Sequence, residues 1–351
     1  MRSSKMWTRV CAGAAAVAAA VSVLGAAPAQ AAEPGPAPSF TDGFGLTQVE
    51  PVKGDGADLT LTVTTPNLSG KHWIRVFLPE GYAADPGKRW PVLYSLTGGP
   101  SQWEDAAGLP ALRSNKMITV VPDGGQKGWY ADWKMQNTAL GAAKWESFHI
   151  RQVIPFIDAN LRTLTDREHR AVAGLSMGGF GAMHYAQTYP ELFGNVASMS
   201  GAIDFGLADM RAAVLATELN LPNWPCAAGS SSGCADYGPV VDSDAIFGTP
   251  YFWGDQIWNA VNPASTANLK KLANTNIALY TGNQGLDMAT ATATGNVRNY
   301  LTDLGIPIQR FKAYGDGTGW GTGCDGNHNY GCWRPSYADY IPILESNFAA
   351  S

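Results

Sequence analysis

The segment AVAGLSMGGFGAMHYAQTY, residues 171–189, decides the fold of this 351-residue chain. Residues 170–173 form a short apolar run that is typical of a buried β-strand. Residues 177–188 predict a helix, which the Tyr189-Pro190 pair ends because proline cannot continue it. The segment therefore predicts a strand, a tight turn and a helix in direct succession.

The turn carries a G-x-S-x-G pattern over residues 174–178, with Ser176 at its centre. Small neighbours permit a strained turn that lifts the serine hydroxyl above the sheet, and the following helix directs its first N–H groups to the same place. A second match, residues 229–233, lies in a polar loop with no strand before it and no helix after it. The context, more than the pattern, makes Ser176 the candidate nucleophile.

The rest of the chain alternates predicted strands and helices. Residues 58–65 and 72–78 alternate apolar and polar side chains, as antiparallel strands at a sheet edge do. A continuous apolar run predicts a strand covered on both faces at residues 90–96, and a second buried strand is predicted at residues 117–122. Further strands are predicted at residues 195–200, 276–281 and 307–314. Residues 145–161 predict a long amphipathic helix. This order indicates an α/β protein with the α/β-hydrolase fold, a mostly parallel central sheet with helices on both faces.

A long insertion, residues 204–263, precedes the late strands and is rich in proline, tryptophan and glycine. Two alternatives stay open for it. The insertion covers the site as a cap, or it is a packed excursion on the surface.

Residues 1–31 have the three parts of a secretory signal peptide. They begin with basic residues, continue with a small apolar core, and end in the A-x-A cleavage site Ala29-Gln30-Ala31. A membrane anchor is disfavoured because the core is alanine-rich and no second apolar span follows. We therefore expect a secreted protein that is cleaved near Ala31 and has no stable membrane insertion.

Cleavage leaves a Pro-rich tail, residues 32–39, and a single predicted domain over residues 40–348. The leader carries three basic residues and no acidic ones, so its loss takes the formal net charge from −5 to −8. Such an acidic surface argues against nucleic acid or anionic lipid as the main partner. We expect the mature chain to be a monomer.

Four cysteines remain after the leader, in two pairs of equal spacing, Cys226 with Cys234 and Cys324 with Cys332. In an exported protein these local pairings are the simplest disulfides. The alternative is a zinc site built on Cys324, His328 and Cys332, which would require reduced thiolates in an oxidising compartment and a fourth ligand. We therefore predict two disulfides, no metal and no organic cofactor.

A serine nucleophile needs a base to take its proton, and the base needs an acceptor that holds its tautomer. Among the histidines, only His328 follows the last predicted strand, where the serine–acid–histidine order of α/β hydrolases places the base. The loop around it, residues 321–332, is rich in glycine, and a disulfide between Cys324 and Cys332 would stiffen it. His328 is therefore the candidate base.

Asp287 and Asp303 are the candidates for the acid. Asp287 follows the late strand, the usual position of this residue, and we favour it; Asp303 ends the next predicted helix and is second.

Two backbone N–H groups are candidates for holding an oxyanion. They belong to Met177, the residue after the nucleophile, and to Gly99, because the next residue, Pro100, has no N–H to donate.

Residues 174–193, followed by a strand that ends in Ser-Gly, resemble the secreted esterase family that contains the antigen 85 mycolyltransferases and esterase D. Four further segments are similar to antigen 85 in order and spacing: residues 130–133, 144–148, 253–263 and 326–333. The resemblance covers roughly residues 40–344. It implies an α/β-hydrolase fold with Ser176 and His328 as catalytic residues and Met177 as an oxyanion donor.

The chain departs from antigen 85 at several positions. Where antigen 85 carries the Asp and Arg that hold trehalose, this chain has Thr97 and Pro100, and Tyr330 replaces the family's Trp two residues beyond the histidine. The antigen 85 acid lies one turn into the helix after the late strand, but residues 288–302 contain no acid here. The role therefore falls to Asp287, as in the esterase D branch, or to Asp303.

Together these features predict a secreted serine carboxylic-ester hydrolase or acyltransferase that acts through an acyl-serine intermediate. The expected partner is an ester or acyl-donor small molecule, with lipids and cell-wall glycans among the candidates. Trp129, Trp133 and Tyr330 are candidate substrate contacts. The alternatives are acyl transfer of the antigen 85 kind, a feruloyl or acetyl-xylan esterase, and a non-catalytic glycan-binding protein whose histidine loop would be turned away from Ser176.

Overall fold

The computed structural model describes residues 38–100, 109–221, 236–251 and 254–351. All of them belong to one compact unit that extends to Ser351. The predicted signal peptide, most of the Pro-rich tail and the Cys226–Cys234 pair lie outside the described residues. None of the described helices combines the length and the hydropathy that a membrane span requires.

A ten-stranded sheet forms the centre of the described structure. Its strands are β1 (Thr47–Gln48), β2 (Lys53–Asp55), β3 (Asp58–Thr65), β4 (Leu68–Phe77), β5 (Val92–Leu96), β6 (Ile118–Pro122), β7 (Arg170–Leu175), β8 (Asn195–Met199), β9 (Asn276–Gly282) and β10 (Arg310–Gly315). Their order is β1-β3-β4-β6-β5-β7-β8-β9-β10, with β2 paired to β3. Strands β1 to β4 pair antiparallel, whereas β6, β5, β7, β8, β9 and β10 run parallel. The sheet is mostly parallel with antiparallel strands at one edge, as the sequence predicts.

The α-helices of the described residues are α1 (Ile154–Asn160), α2 (Met177–Thr188), α3 (Ala208–Glu218), α4 (Gln256–Val261), α5 (Thr266–Lys270), α6 (Asp287–Asp303) and α7 (Tyr330–Ala350). The prediction of one regular helix over residues 145–161 is wrong in detail, because Ser147–Val153 form a π-helix before α1 begins. There the N–H of Ile154 donates to the carbonyl oxygen of His149, five residues earlier. Pro155 follows directly and has no N–H of its own to donate to the preceding turn.

Helices cover both faces of the sheet. On one face α1, α2 and α6 pack through Phe156, Phe180 and Val297, all fully buried. On the other face α7 packs through Tyr337 and Leu344. Strands β5, β7 and β8 are therefore buried along their whole length. A residue at the end of β7 is therefore anchored in the buried centre of the sheet.

The insertion over residues 204–263 contributes α3 and α4, and contacts with the loop after β6 fix α3 in place. The indole N–H of Trp129 donates to the hydroxyl of Thr217 on α3 at 2.9 Å. The buried ammonium of Lys127 donates to the backbone carbonyl of Glu218, the last residue of α3, at 3.3 Å, and to that of Pro239 at 2.7 Å. Because both donors come from the loop after β6, α3 lies beside that loop at one end of the sheet.

Candidate active site

Ser176 lies on a strained turn between β7 and α2. Its backbone has φ 54° and ψ −123°, a conformation that costs a non-glycine residue energy. The two flanking glycines allow the turn. A Cβ atom on Gly174 would lie 2.1 Å from the carbonyl oxygen of Gly178, and one on Gly178 would lie 2.2 Å from that of Leu96. Only glycine fits at either position, so the sequence pattern is a direct consequence of the packing.

His328 reaches the serine from the segment between β10 and α7. Its Nε2 atom lies 2.8 Å from the Oγ atom of Ser176. A disulfide joins Cys324 to Cys332 on either side of it, and the ring of Trp333 packs edge-on against the imidazole with 4.9 Å between centroids. Because the two sulfurs are bonded to each other, they are not the thiolates that the zinc alternative requires.

Asp287, the first residue of α6, completes the series. One of its carboxylate oxygens, Oδ1, lies 2.6 Å from Nδ1 of His328, and the side chain is fully buried. Asp303 lies at the far end of the same helix, about 24 Å away at 1.5 Å per residue, and is exposed. Of the two candidate acids, the structure brings only Asp287 to the histidine.

The pKa of the Asp287 carboxyl lies below its usual value. Burial acts to raise this pKa, but the charge of His328 and the hydrogen bonds from His328, Ser200 and the Gly282 N–H outweigh it. The acid is therefore ionised near neutral pH. An ionised carboxylate can only accept, so Nδ1 of His328 carries the proton and Nε2 is free to accept the proton of Ser176.

Met177 and Gly99, the two predicted oxyanion donors, line the same cavity as Ser176. Met177 is the first residue of α2, and its N–H therefore has no acceptor within the helix. Gly99 borders the same space, where a Cβ atom on it would lie 3.4 Å from the sulfur of Met177. The loop that carries Gly99 is anchored by the buried hydroxyl of Tyr130, which donates to the carbonyl oxygen of Thr97 at 2.8 Å.

A cavity of about 510 Å³ opens in front of Ser176. One wall comes from α3 of the insertion and the other from the start of α6. The residues of these two walls include Met210, Ala213, Thr217, Leu286, Met288 and Thr292. Since α3 borders the space above the nucleophile, the structure favours the cap over the surface excursion as the role of this part of the insertion.

The three predicted substrate contacts have different positions. Trp129 lines the cavity. Trp133 does not; its indole N–H donates to the carbonyl oxygen of Gly128 at 3.1 Å, and it borders a separate cavity of about 220 Å³. Tyr330 is also absent from the cavity wall, because as the first residue of α7 it packs edge-on against Trp333 with 5.1 Å between ring centroids. Among the described residues, the structure thus places Trp129 on this cavity and Trp133 and Tyr330 away from its wall, and substrate contact of all three stays a prediction.

Several cavity residues were not identified from the sequence, although the helical spacing of those on α3 could have revealed them. Met210, Ala213 and Thr217 are spaced three and four residues apart, as residues on one face of a helix are. Tyr237 and Ser200 gave no comparable pattern. They lie far from Ser176 along the chain, and only the folded sheet brings them to it.

A hydroxyl, an imidazole and a carboxylate in hydrogen-bonding series at the end of a central parallel strand form the arrangement that is typical of the α/β-hydrolase class. Residues 65–342 match the model of a family described as "Putative esterase". The chain belongs to this esterase family, which confirms the predicted resemblance.

Relatives and a solved structure agree with the family. Esterase Rv1288 of Mycobacterium tuberculosis is 38% identical over 188 residues, which cover 50% of this chain and 41% of that protein. The Mycobacterium leprae protein named diacylglycerol acyltransferase/mycolyltransferase Ag85A is 25% identical over 287 residues, 76% of this chain and 78% of that protein. The crystal structure of Mycobacterium tuberculosis MPT51 covers 86% of this chain and 100% of its own, with a TM-score of 0.61 at 18% identity. The predicted α/β-hydrolase fold is confirmed.

Proposed function

We propose that the protein is a secreted serine esterase or acyltransferase that works through an acyl-Ser176 intermediate. The observation that carries this proposal is the continuous hydrogen-bonded series from Ser176 through His328 to Asp287, at 2.8 and 2.6 Å. The same distances argue against a non-catalytic glycan-binding protein, whose histidine loop would be turned away from the serine.

In the first half-reaction, Oγ of Ser176 attacks the ester carbonyl carbon while its proton passes to Nε2 of His328. The N–H groups of Met177 and Gly99 hold the resulting oxyanion, and Asp287 stabilises the imidazolium. The tetrahedral intermediate then collapses. The bond to the alcohol oxygen breaks, and His328 gives its proton to that leaving group.

In the second half-reaction, water or an alcohol donates its proton to His328 and attacks the acyl carbon. Collapse of this second intermediate releases Oγ of Ser176, which recovers the proton from the imidazolium. Water gives ester hydrolysis, and an alcohol such as a sugar or glycerol gives acyl transfer. The similarity to the diacylglycerol acyltransferase/mycolyltransferase Ag85A favours acyl transfer as the second candidate function.

We also propose that the enzyme is exported, cleaved near Ala31, and monomeric, with one catalytic domain over residues 40–348. The signal-peptide pattern and the disulfide between Cys324 and Cys332 support export. Sequencing the N-terminus of protein recovered from the culture medium tests the cleavage site, and light scattering tests the monomer.

A fluorophosphonate probe tests the nucleophile directly. We expect the probe to add to Ser176 alone and the hydrolysis of p-nitrophenyl esters to disappear in Ser176→Ala. The matched control is Ser231→Ala, which alters the centre of the second G-x-S-x-G segment and should leave both readouts unchanged. Ester hydrolysis that survives Ser176→Ala would end the proposal.

A panel of acyl donors with trehalose, glycerol or water as acceptor then distinguishes ester hydrolysis from acyl transfer.

A further inference from the structure

The proposed reaction uses only one oxygen of the Asp287 carboxylate, and the other oxygen has its own set of donors. We propose that Ser200 and Tyr314 are positioning residues that hold the second oxygen, Oδ2, and thereby aim the first at His328. This inference rests on the proposed function and adds two residues that neither the G-x-S-x-G pattern nor the serine–histidine–aspartate series contains.

The contacts around Oδ2 are short and buried. The hydroxyl of Ser200 donates to Oδ2 at 2.7 Å, and the N–H of Gly282 donates to it at 3.0 Å. The hydroxyl of Tyr314 lies 3.3 Å from Oδ2 and 3.2 Å from the oxygen of Ser200. A carboxylate bound through one oxygen can turn about its last side-chain torsion. These donors prevent the turn, so Oδ1 stays in line with Nδ1 of His328.

The backbone of Ser200 supports a role for its hydroxyl. Ser200 directly follows β8 with φ 50°, a left-handed conformation that glycine adopts more easily than serine. Its N–H donates to the carbonyl oxygen of Tyr280 at 2.8 Å, which ties this turn to the neighbouring strand β9. Glycine would satisfy this backbone with less strain but would lack the hydroxyl. Serine at this position is explained by what its side chain binds.

The side chain of Tyr314 is also fixed by its packing. It lies on β10, in the segment that leads to His328, and the ring of Trp320 stacks on it with 5.7 Å between centroids and 5° between planes. Burial raises the pKa of its phenol, so the hydroxyl keeps its proton and acts as a donor. The chain segment that delivers the base therefore also helps to hold the acid.

The test measures the rate of fluorophosphonate labelling in the full mature chain together with its melting temperature. We expect Ser200→Ala to slow labelling roughly tenfold or more, the effect of one hydrogen bond to a charged group. Ser200→Gly should slow labelling as much without lowering the melting temperature, because it relieves the strained backbone. Tyr314→Phe keeps the stacking on Trp320 and should slow labelling by a smaller factor.

The matched control is Ser198→Ala. Ser198 lies two residues earlier, is equally buried, and its hydroxyl has no hydrogen-bond partner among the described residues. We expect this variant to label at the wild-type rate. Labelling of Ser200→Gly at the wild-type rate would overturn the proposal.

A double-mutant cycle distinguishes an effect through Asp287 from a general structural effect. In an Asp287→Asn background, Ser200→Ala should lose most of its effect on the labelling rate, because the carboxylate it holds is gone. An equal loss in both backgrounds would contradict the positioning role. Failure of the wild-type chain to label at all would refute the proposed function instead, so the two failures are distinct.

Discussion

At the scale of single residues, two aspartates of the same helix have very different surroundings. Asp287 and Asp303 begin and end the same helix. The first is fully buried against His328, whereas the second is exposed. A carboxylate can hold an imidazole in one tautomer only within hydrogen-bond reach, so the two acids have different expected roles.

The pair gives a direct prediction. Asp287→Asn should lower kcat for p-nitrophenyl esters by roughly 10⁴-fold, because an amide can favour the wrong tautomer of His328. Asp303→Asn is the matched control and should leave kcat unchanged. The measurement is steady-state kinetics at neutral pH. A large loss in Asp303→Asn with little change in Asp287→Asn would reverse our assignment of the acid.

At the scale of elements, α2 packs closely on the sheet. A Cβ atom on its residue Gly178 would lie 2.2 Å from the carbonyl oxygen of Leu96 on β5. Gly295 in α6 is also a helical glycine, but a Cβ atom there would have no atom within 4 Å. Replacing glycine with alanine is therefore expected to lower the stability of the protein at Gly178 and to raise it at Gly295.

We predict that Gly178→Ala lowers the free energy of unfolding by about 2 kcal/mol or more, because α2 must move away from β5. Gly295→Ala should raise it by about 0.5–1 kcal/mol, since alanine has the higher helix propensity. Chemical denaturation of both variants checks the signs. Equal effects at the two positions would mean that α2 is less closely packed than the structure indicates.

At the scale of the whole molecule, a buried acid links the insertion to the pH dependence of folding. Glu218, the last residue of α3, is fully buried, and one of its carboxylate oxygens accepts from the N–H of Ile246 at 3.0 Å while the other has no partner among the described atoms. Burial raises the pKa of Glu218 to about 7. Between the ordinary carboxyl pKa and pH 7, the folded chain holds a proton that the unfolded chain has released.

The free energy of unfolding should therefore fall as the pH rises through this window, since the native state binds more protons than the unfolded state. Glu218→Gln removes the titrating group, so its melting temperature relative to wild type should rise by roughly 3 °C or more between pH 5 and pH 7.5. Burial also lowers the pKa of Lys127, to about 8. This shift makes the free energy of unfolding rise with pH, but only at a higher pH than the window of Glu218. Glu191→Gln, on the exposed surface, is the control and should show no such change.

Much of this protein follows from local sequence. The strand, glycine turn and helix around Ser176 were predictable because close packing at Gly174 and Gly178 excludes every larger residue. The order of the strands also pointed to His328 and favoured Asp287, since parallel strands deliver their following loops to one edge of the sheet.

Other features were decided only by the tertiary structure. Three of them depend on contacts between residues that are distant along the chain. These are the choice of Asp287 over Asp303, the place of α3 over the serine, and the hydrogen bond from Ser200 to Asp287. The surroundings of Trp133, which donates to Gly128, and of Tyr330, which packs on Trp333, were also visible only in the folded structure, and their predicted contact with a ligand stays a prediction. A pattern of residue types specifies the backbone locally, whereas the partner of a side chain depends on which distant segments the fold brings beside it.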